Sequence, residues 1–145
     1  MAIYGRASAV HFEASLTVKV PREKAYSVYT DFEAMPKWSK QKHELIVSRR
    51  DGNKVYLEGR GLKVAKEVML FPPERVESEG ETRFARTKSL VSFEEVAGGT
   101  KVTASLDVQL KGRWSWILRT RGKVEAQSSA MEELTSFARY AEGLP

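Results

Sequence analysis

One change of period organises this chain. Up to Leu110 the apolar residues recur at every second position in a series of short segments, and after Gly112 they recur at helical spacing. Trp114, Ile117, Leu118, Val124, Met131, Leu134, Ala138 and Ala141 trace one stripe of a single helix running to about Glu142, with Gly143 and Pro145 as stop signals. Strands followed by one long helix leave few architectures. Neither a half-apolar sheet nor an amphipathic helix can hide its apolar side alone, so each must cover the other.

The segments before the switch read in order. Val10, Phe12, Ala14, Leu16, Val18 and Val20 alternate with His11, Glu13, Ser15, Thr17 and Lys19, the signature of a strand with one buried face. Pro21 ends that strand and opens a helix carrying Ala25, Val28, Tyr29 and Phe32. Asp31 is placed to cap a second short helix, which would bring Phe32, Met35 and Trp38 together, and Pro36 keeps the two helices from merging. Asp51-Gly52-Asn53 reads as a hairpin turn, followed by Val55, Leu57, Gly59 and Gly61 on one face. Val64, Val68 and Leu70 mark the next strand, ended by Pro72-Pro73, and Arg75 to Ser78 reads as a short one. Lys88 to Val96 and Thr100 to Leu110 flank Ala97-Gly98-Gly99, the strongest hairpin signal. The fold class is α+β: an antiparallel sheet, dry on one side, curved around a long C-terminal helix, with two short helices after the first strand.

With 145 residues and no linker or repeat, residues 1–145 read as a single domain, able to bury a core without staples. There is no cysteine, which excludes disulfides and thiolate metal sites and fits a cytoplasmic setting. Residues 1 to 20 hold no continuous apolar run, so a secretory signal is not expected. Lys and Arg total 24 against 19 Asp and Glu, a net charge of +5. Much of that excess falls in one acid-free stretch holding Lys111, Arg113, Arg119, Arg121 and Lys123.

Several of these segments carry a family resemblance. The run from Val18 through Pro21-Arg22-Glu23-Lys24-Ala25-Tyr26 to Asp31-Phe32-Glu33-Ala34-Met35-Pro36-Lys37-Trp38 resembles the START-like (SRPBCC, helix-grip) superfamily. Pro72-Pro73-Glu74-Arg75-Val76, Leu90 to Glu94, Gly99 to Thr103 and the long last helix extend it over residues 10 to 141. The chain looks like the branch holding polyketide cyclase/dehydrase-like and coenzyme Q-binding proteins. That resemblance implies a cavity between sheet and C-terminal helix for a hydrophobic small molecule: a lipid, an isoprenoid quinone or a polyketide-like compound. Some relatives are enzymes, many only bind or carry, and others act on ribosomal subunits. No catalytic motif runs through these branches, so no catalytic residue carries over.

The main functional expectation is binding or transport of such a molecule. The alternatives are a polyketide cyclase/dehydrase-like enzyme and a ribosome- or protein-interacting module. The expected ligand wall is Phe32, Met35, Trp38, Tyr56, Val68, Trp114, Ile117, Leu118, Arg121, Val124 and Met131. In it Arg121 would be a polar anchor on the apolar phase of the helix, with a solvent-reaching edge arginine as the plainer reading. Lys111, Arg113, Trp116, Arg119 and Lys123 form an expected surface contact; basic residues beside tryptophan suit an anionic membrane surface. Nucleic-acid or ribosome contact is the weaker reading, because no phosphate loop, zinc finger or paired aromatic signature is present. The chain has 2 histidines, His11 on the outward phase of its strand and His43 in a charged stretch. Neither they nor the carboxylates fall at a metal-ligand spacing, so no metal or cofactor is expected. Monomer and homodimer both remain open.

Overall fold

The computed structural model describes residues 9–39, 45–59, 65–81, 85–110 and 123–144. Seven strands form one antiparallel sheet: β1 (Ala9–Val18), β2 (Leu45–Asp51), β3 (Lys54–Gly59), β4 (Ala65–Phe71), β5 (Arg75–Glu81), β6 (Ala85–Val96) and β7 (Gly99–Leu110). Their spatial order is β1-β7-β6-β5-β4-β3-β2. Strands β2 to β7 are a meander, and β1 closes onto β7 with Phe12 opposite Leu106 and Leu16 opposite Val102. Helix α1 (Arg22–Tyr29), a 3-10 helix (Phe32–Lys37) and helix α2 (Lys123–Gly143) complete the α+β helix-grip architecture.

The period-two pattern sets the two faces. Val55, Val68, Val76, Val91, Phe93 and Val102 all point to the side that packs against the helices and are buried. Helix α2 meets them with Leu134, Phe137, Ala138 and Ala141, again all buried. Its C-terminal end is tied to the end of β1 and to α1: the Lys19 amide donates to Glu142 at 2.8 Å, and Lys24 Nζ to the Leu144 carbonyl at 2.6 Å.

Four local expectations are corrected. The first strand ends at Val18 rather than Val20, because the Val20 carbonyl leaves the ladder to accept a 2.8 Å hydrogen bond from the buried Thr100 hydroxyl. Asp31 holds the cap position of the second helix but makes no side-chain capping bond there. That helix is 3-10, with Pro36 inside it. At three residues per turn its side chains at i and i+3 eclipse, so Phe32 and Met35, with Trp38 next in phase, all turn inward and are buried. Strand β5, read from sequence as Arg75 to Ser78, runs on to Glu81 because both neighbours supply ladder partners as far as that residue. Gly59 closes β3, and Gly61 and Val64 lie outside the described residues, as does the chain from 111 to 122.

Candidate functional site

The inner face of the sheet has two unlike halves. One half is closed. Tyr29 stands at its centre, in ring contact with Trp38 (5.8 Å between centroids), Phe93 (5.7 Å) and Phe137 (5.4 Å). Edge-on aromatic packing of this kind adds orientation to the burial itself. The 3-10 helix is held over this cluster from both sides: Glu33 pairs with Arg50 of β2 at 2.9 Å, and the Ser39 hydroxyl donates to Glu133 of α2. Beneath it lies a void of about 20 Å³ lined by Tyr29, Phe32, Met35, Val68, Lys66 and Ser78 among others. That is room for about one water molecule.

Among the described residues the second half is neither closed nor uniformly apolar. Two cross-strand rows build it. In the first, Val68, Ser78, Ser89 and Leu106 stand opposite one another across β4 to β7. In the second, Leu57, Lys66, Gly80, Thr87 and Val108 do the same from β3 to β7. Lys66, Ser78, Gly80, Thr87, Ser89, Leu106 and Val108 are all half-buried, in contrast to the fully buried valines beside them. The Ser78 and Ser89 hydroxyls contact each other directly. A mixed wall of aliphatic surface and a few grouped polar atoms is the usual lining of a small-molecule site.

The outer face has a different character. Its central row, Tyr56, Glu67, Glu79, Lys88, Asp107 and His11, is charged and internally paired. Lys54 reaches Glu67 at 3.1 Å, Lys88 reaches Glu79 at 3.7 Å, and His11 lies 2.7 Å from Asp107 and 3.4 Å from Glu13. The hydrogen bond to Asp107, with Glu13 behind it, raises the His11 pKa above its ordinary 6.5. An open hollow of about 520 Å³ is lined mainly from this face, whereas another of about 690 Å³ is lined by residues of both phases, Leu57, Lys66, Gly80, Thr87 and Val108 of the inner row included. Among the described residues no group of three histidine, aspartate or glutamate side chains converges to hold a metal ion.

The family model described as polyketide cyclase / dehydrase and lipid transport matches residues 9–142. The chain belongs to this family. Solved structures share its fold at low sequence identity. TTHA0849 from Thermus thermophilus superposes with a TM-score of 0.78 at 19% identity, over 91% of this chain and 97% of that one. The aromatase/cyclase Zhui from Streptomyces sp. R1128 gives 0.75 at 12% identity, over 92% and 94%. The di-domain ARO/CYC StfQ of the steffimycin biosynthetic pathway gives 0.79 at 14%, with 97% of this chain spanning 53% of that longer one. No curated protein matches the chain.

Within this polyketide cyclase/dehydrase and lipid transport fold, the residues expected from sequence to form the wall part company. Phe32, Met35 and Val68 line the small internal void, and Trp38 packs beside them against Tyr29 and Phe137. Its buried indole Nε1 has no hydrogen-bond partner among the described residues. Tyr56 stands on the outer face, because the pleat turns it away from Val55 and Leu57, and its ring lies under the Arg49 guanidinium at 4.3 Å. Met131 is 43% exposed on α2 and lines an open hollow with Trp38 and Glu133 instead of the internal void. Trp114, Ile117, Leu118 and Arg121 lie outside the described residues, as do Lys111, Arg113, Trp116 and Arg119. Lys123 and Val124 fall in the first turn of α2, with their side chains likewise outside. Sequence reading missed Lys66, Ser78, Thr87 and Ser89. Lys66 carried a usable signal, since it sits between Val64 and Val68 on their own apolar phase.

Proposed function

We propose that this chain takes a hydrophobic small molecule of polyketide or lipid type against the half-buried half of the inner sheet face. The observation that carries the reading is the break in that face. A sheet buried by valines over one half changes, within the same strands, to a half-buried strip of Lys66, Ser78, Thr87 and Ser89 flanked by Leu57, Leu106 and Val108. Removal of apolar ligand surface from water would drive binding at roughly 25 cal/mol per Å², and the grouped polar atoms would orient the molecule.

Of the two ways to use such a site, cyclase/dehydrase chemistry has the better support. The family description includes it, and ARO/CYC proteins are among the structures that superpose well on this chain. Carriage without chemistry is favoured by one observation. In the two cross-strand rows that build the half-buried strip, Lys66 is the ionisable side chain, and neither row holds a carboxylate or histidine to accept a proton. An isoprenoid quinone is a member of the same ligand class.

Native mass spectrometry of gently purified protein, followed by organic extraction, tests the reading. A reproducible bound mass of apolar, oxygen-containing character is expected. Loss of water from that compound during incubation with the protein would favour the enzyme, and unchanged release would favour the carrier. Protein that is always empty and binds nothing from a polyketide, fatty-acid and quinone panel would overturn it.

A further inference from the structure

The half-buried strip is more specific than an apolar wall needs to be. A lysine on the inner face of a central strand brings positive charge to a surface where hydration is reduced, and there an anionic oxygen is attracted more strongly than in bulk water. The neighbouring residues are shaped to bring it in. Gly80 lies directly opposite Lys66 on β5, and Thr87 lies opposite Gly80 on β6. A Cβ added at Gly80 would stand 3.0 Å from Lys66 Cγ, 3.3 Å from its Cε and 2.9 Å from Thr87 Oγ1. The lysine stem thus lies across the glycine, from β4 over β5 toward β6. A side chain at position 80 would require the lysine stem and the Thr87 hydroxyl to shift. One row along, the contacting hydroxyls of Ser78 and Ser89 lie on the same face of the same strands. The apolar side chains of Leu57 and Val68 stand on one flank and those of Leu106 and Val108 on the other.

From this geometry we infer that the site selects an amphiphile with an apolar body and an oxyanionic head, a carboxylate or the enolate or phenolate oxygen of an acidic carbonyl compound. Lys66 holds that head, with the Ser78, Ser89 and Thr87 hydroxyls as neighbouring donors. An ammonium with hydroxyl donors matches an anionic oxygen, and charge-assisted hydrogen bonds are about twice as strong as neutral ones. A cationic head would meet like charge, and a neutral alcohol would gain only the hydroxyls. This inference rests on the proposed binding of a hydrophobic molecule at this face and adds the chemistry of its polar end.

The test is calorimetric titration of the full chain with dodecanoate, 1-dodecanol and dodecyltrimethylammonium, each below its aggregation limit. Dodecanoate is expected to bind tightest. Lys66→Met should weaken dodecanoate by about tenfold or more while leaving dodecanol within about twofold. Lys66→Arg should retain the preference, and Gly80→Ala, which displaces the lysine stem, should reduce it. Circular dichroism of each variant separates a folding defect from a binding one, and Lys66→Gln offers a second neutral replacement. If all three amphiphiles bind alike and Lys66→Met changes none of them, the oxyanion inference is overturned and the binding reading stands. If none binds the native chain, the binding reading falls as well.

Discussion

The indole of Trp38 meets the ring of Phe137 edge-on, with centroids 5.3 Å apart and planes inclined at 61°. Through this contact the 3-10 helix and the C-terminal helix share one aromatic cluster, and Phe137 is completely buried within it. Phe137→Ala removes a side chain that touches both Tyr29 and Trp38, and should destabilise the fold by about 3–5 kcal/mol. Urea unfolding followed by far-UV circular dichroism measures it. A loss below about 1 kcal/mol would mean that the two helices are joined by something else.

Gly99 is held against the end of β1. Its φ is +157°, and a Cβ there would overlap the Val18 carbonyl oxygen, which is backbone and has little room to yield. Gly99→Ala should cost at least about 2 kcal/mol. Gly52, at φ +60° with nothing near its Cβ position, should accept asparagine for less than about 1 kcal/mol, since asparagine tolerates the left-handed region. Equal thermal shifts for the two substitutions would contradict this contrast.

Thr100 is fully buried, and its hydroxyl satisfies the Val20 carbonyl. Thr100→Val keeps the shape but leaves that carbonyl without its donor, at a cost of about 1–3 kcal/mol. Chemical denaturation is the readout, and a neutral effect would show that the carbonyl finds another donor.

Much of this was legible beforehand, and the exceptions have physical causes. Alternation placed Phe12, Val55, Leu57 and Val68 on the buried side, because a pleat with one dry face enforces period two. Phe32, Met35 and Trp38 announced a second short helix, though not its 3-10 geometry. Strand β5 was legible only as far as Ser78: Glu79, Gly80 and Glu81 carry no apolar alternation, and the partners on both sides extend the strand through them. The polar half of the inner face was hidden for the same reason, since its serines and glycine lie in β5 or face it from β6. Tyr56 was misplaced by its chemistry, because a phenol is attractive as a ligand contact even on the wrong phase.

Two exposed pairs should titrate in opposite directions. In the fold Asp107 and Glu13 raise the His11 pKa, so the stabilisation from this pairing is complete below the ordinary 6.5 and is lost as pH rises through the folded midpoint. The hydrogen bond from Arg50 lowers the Glu33 pKa, so that pair stabilises above the ordinary glutamate pKa of 4.5 and is lost as pH falls through the folded one. NMR titration of His11 should give a midpoint above 6.5 that drops in Asp107→Asn. An unchanged midpoint would remove Asp107 as the cause.

The central claim is that ligand meets the inner face of the sheet and not the hollow of about 520 Å³ on its outer side. Methyl NMR of the protein titrated with dodecanoate tests this directly, because the pleat puts reporters on both faces. The methyl groups of Thr87, Leu106 and Val108 are expected to shift in a saturable manner, while those of Met69 and Leu90, which face outward, stay in place. Shifts confined to Met69 and Leu90, or no saturable shift on either face, would contradict the account.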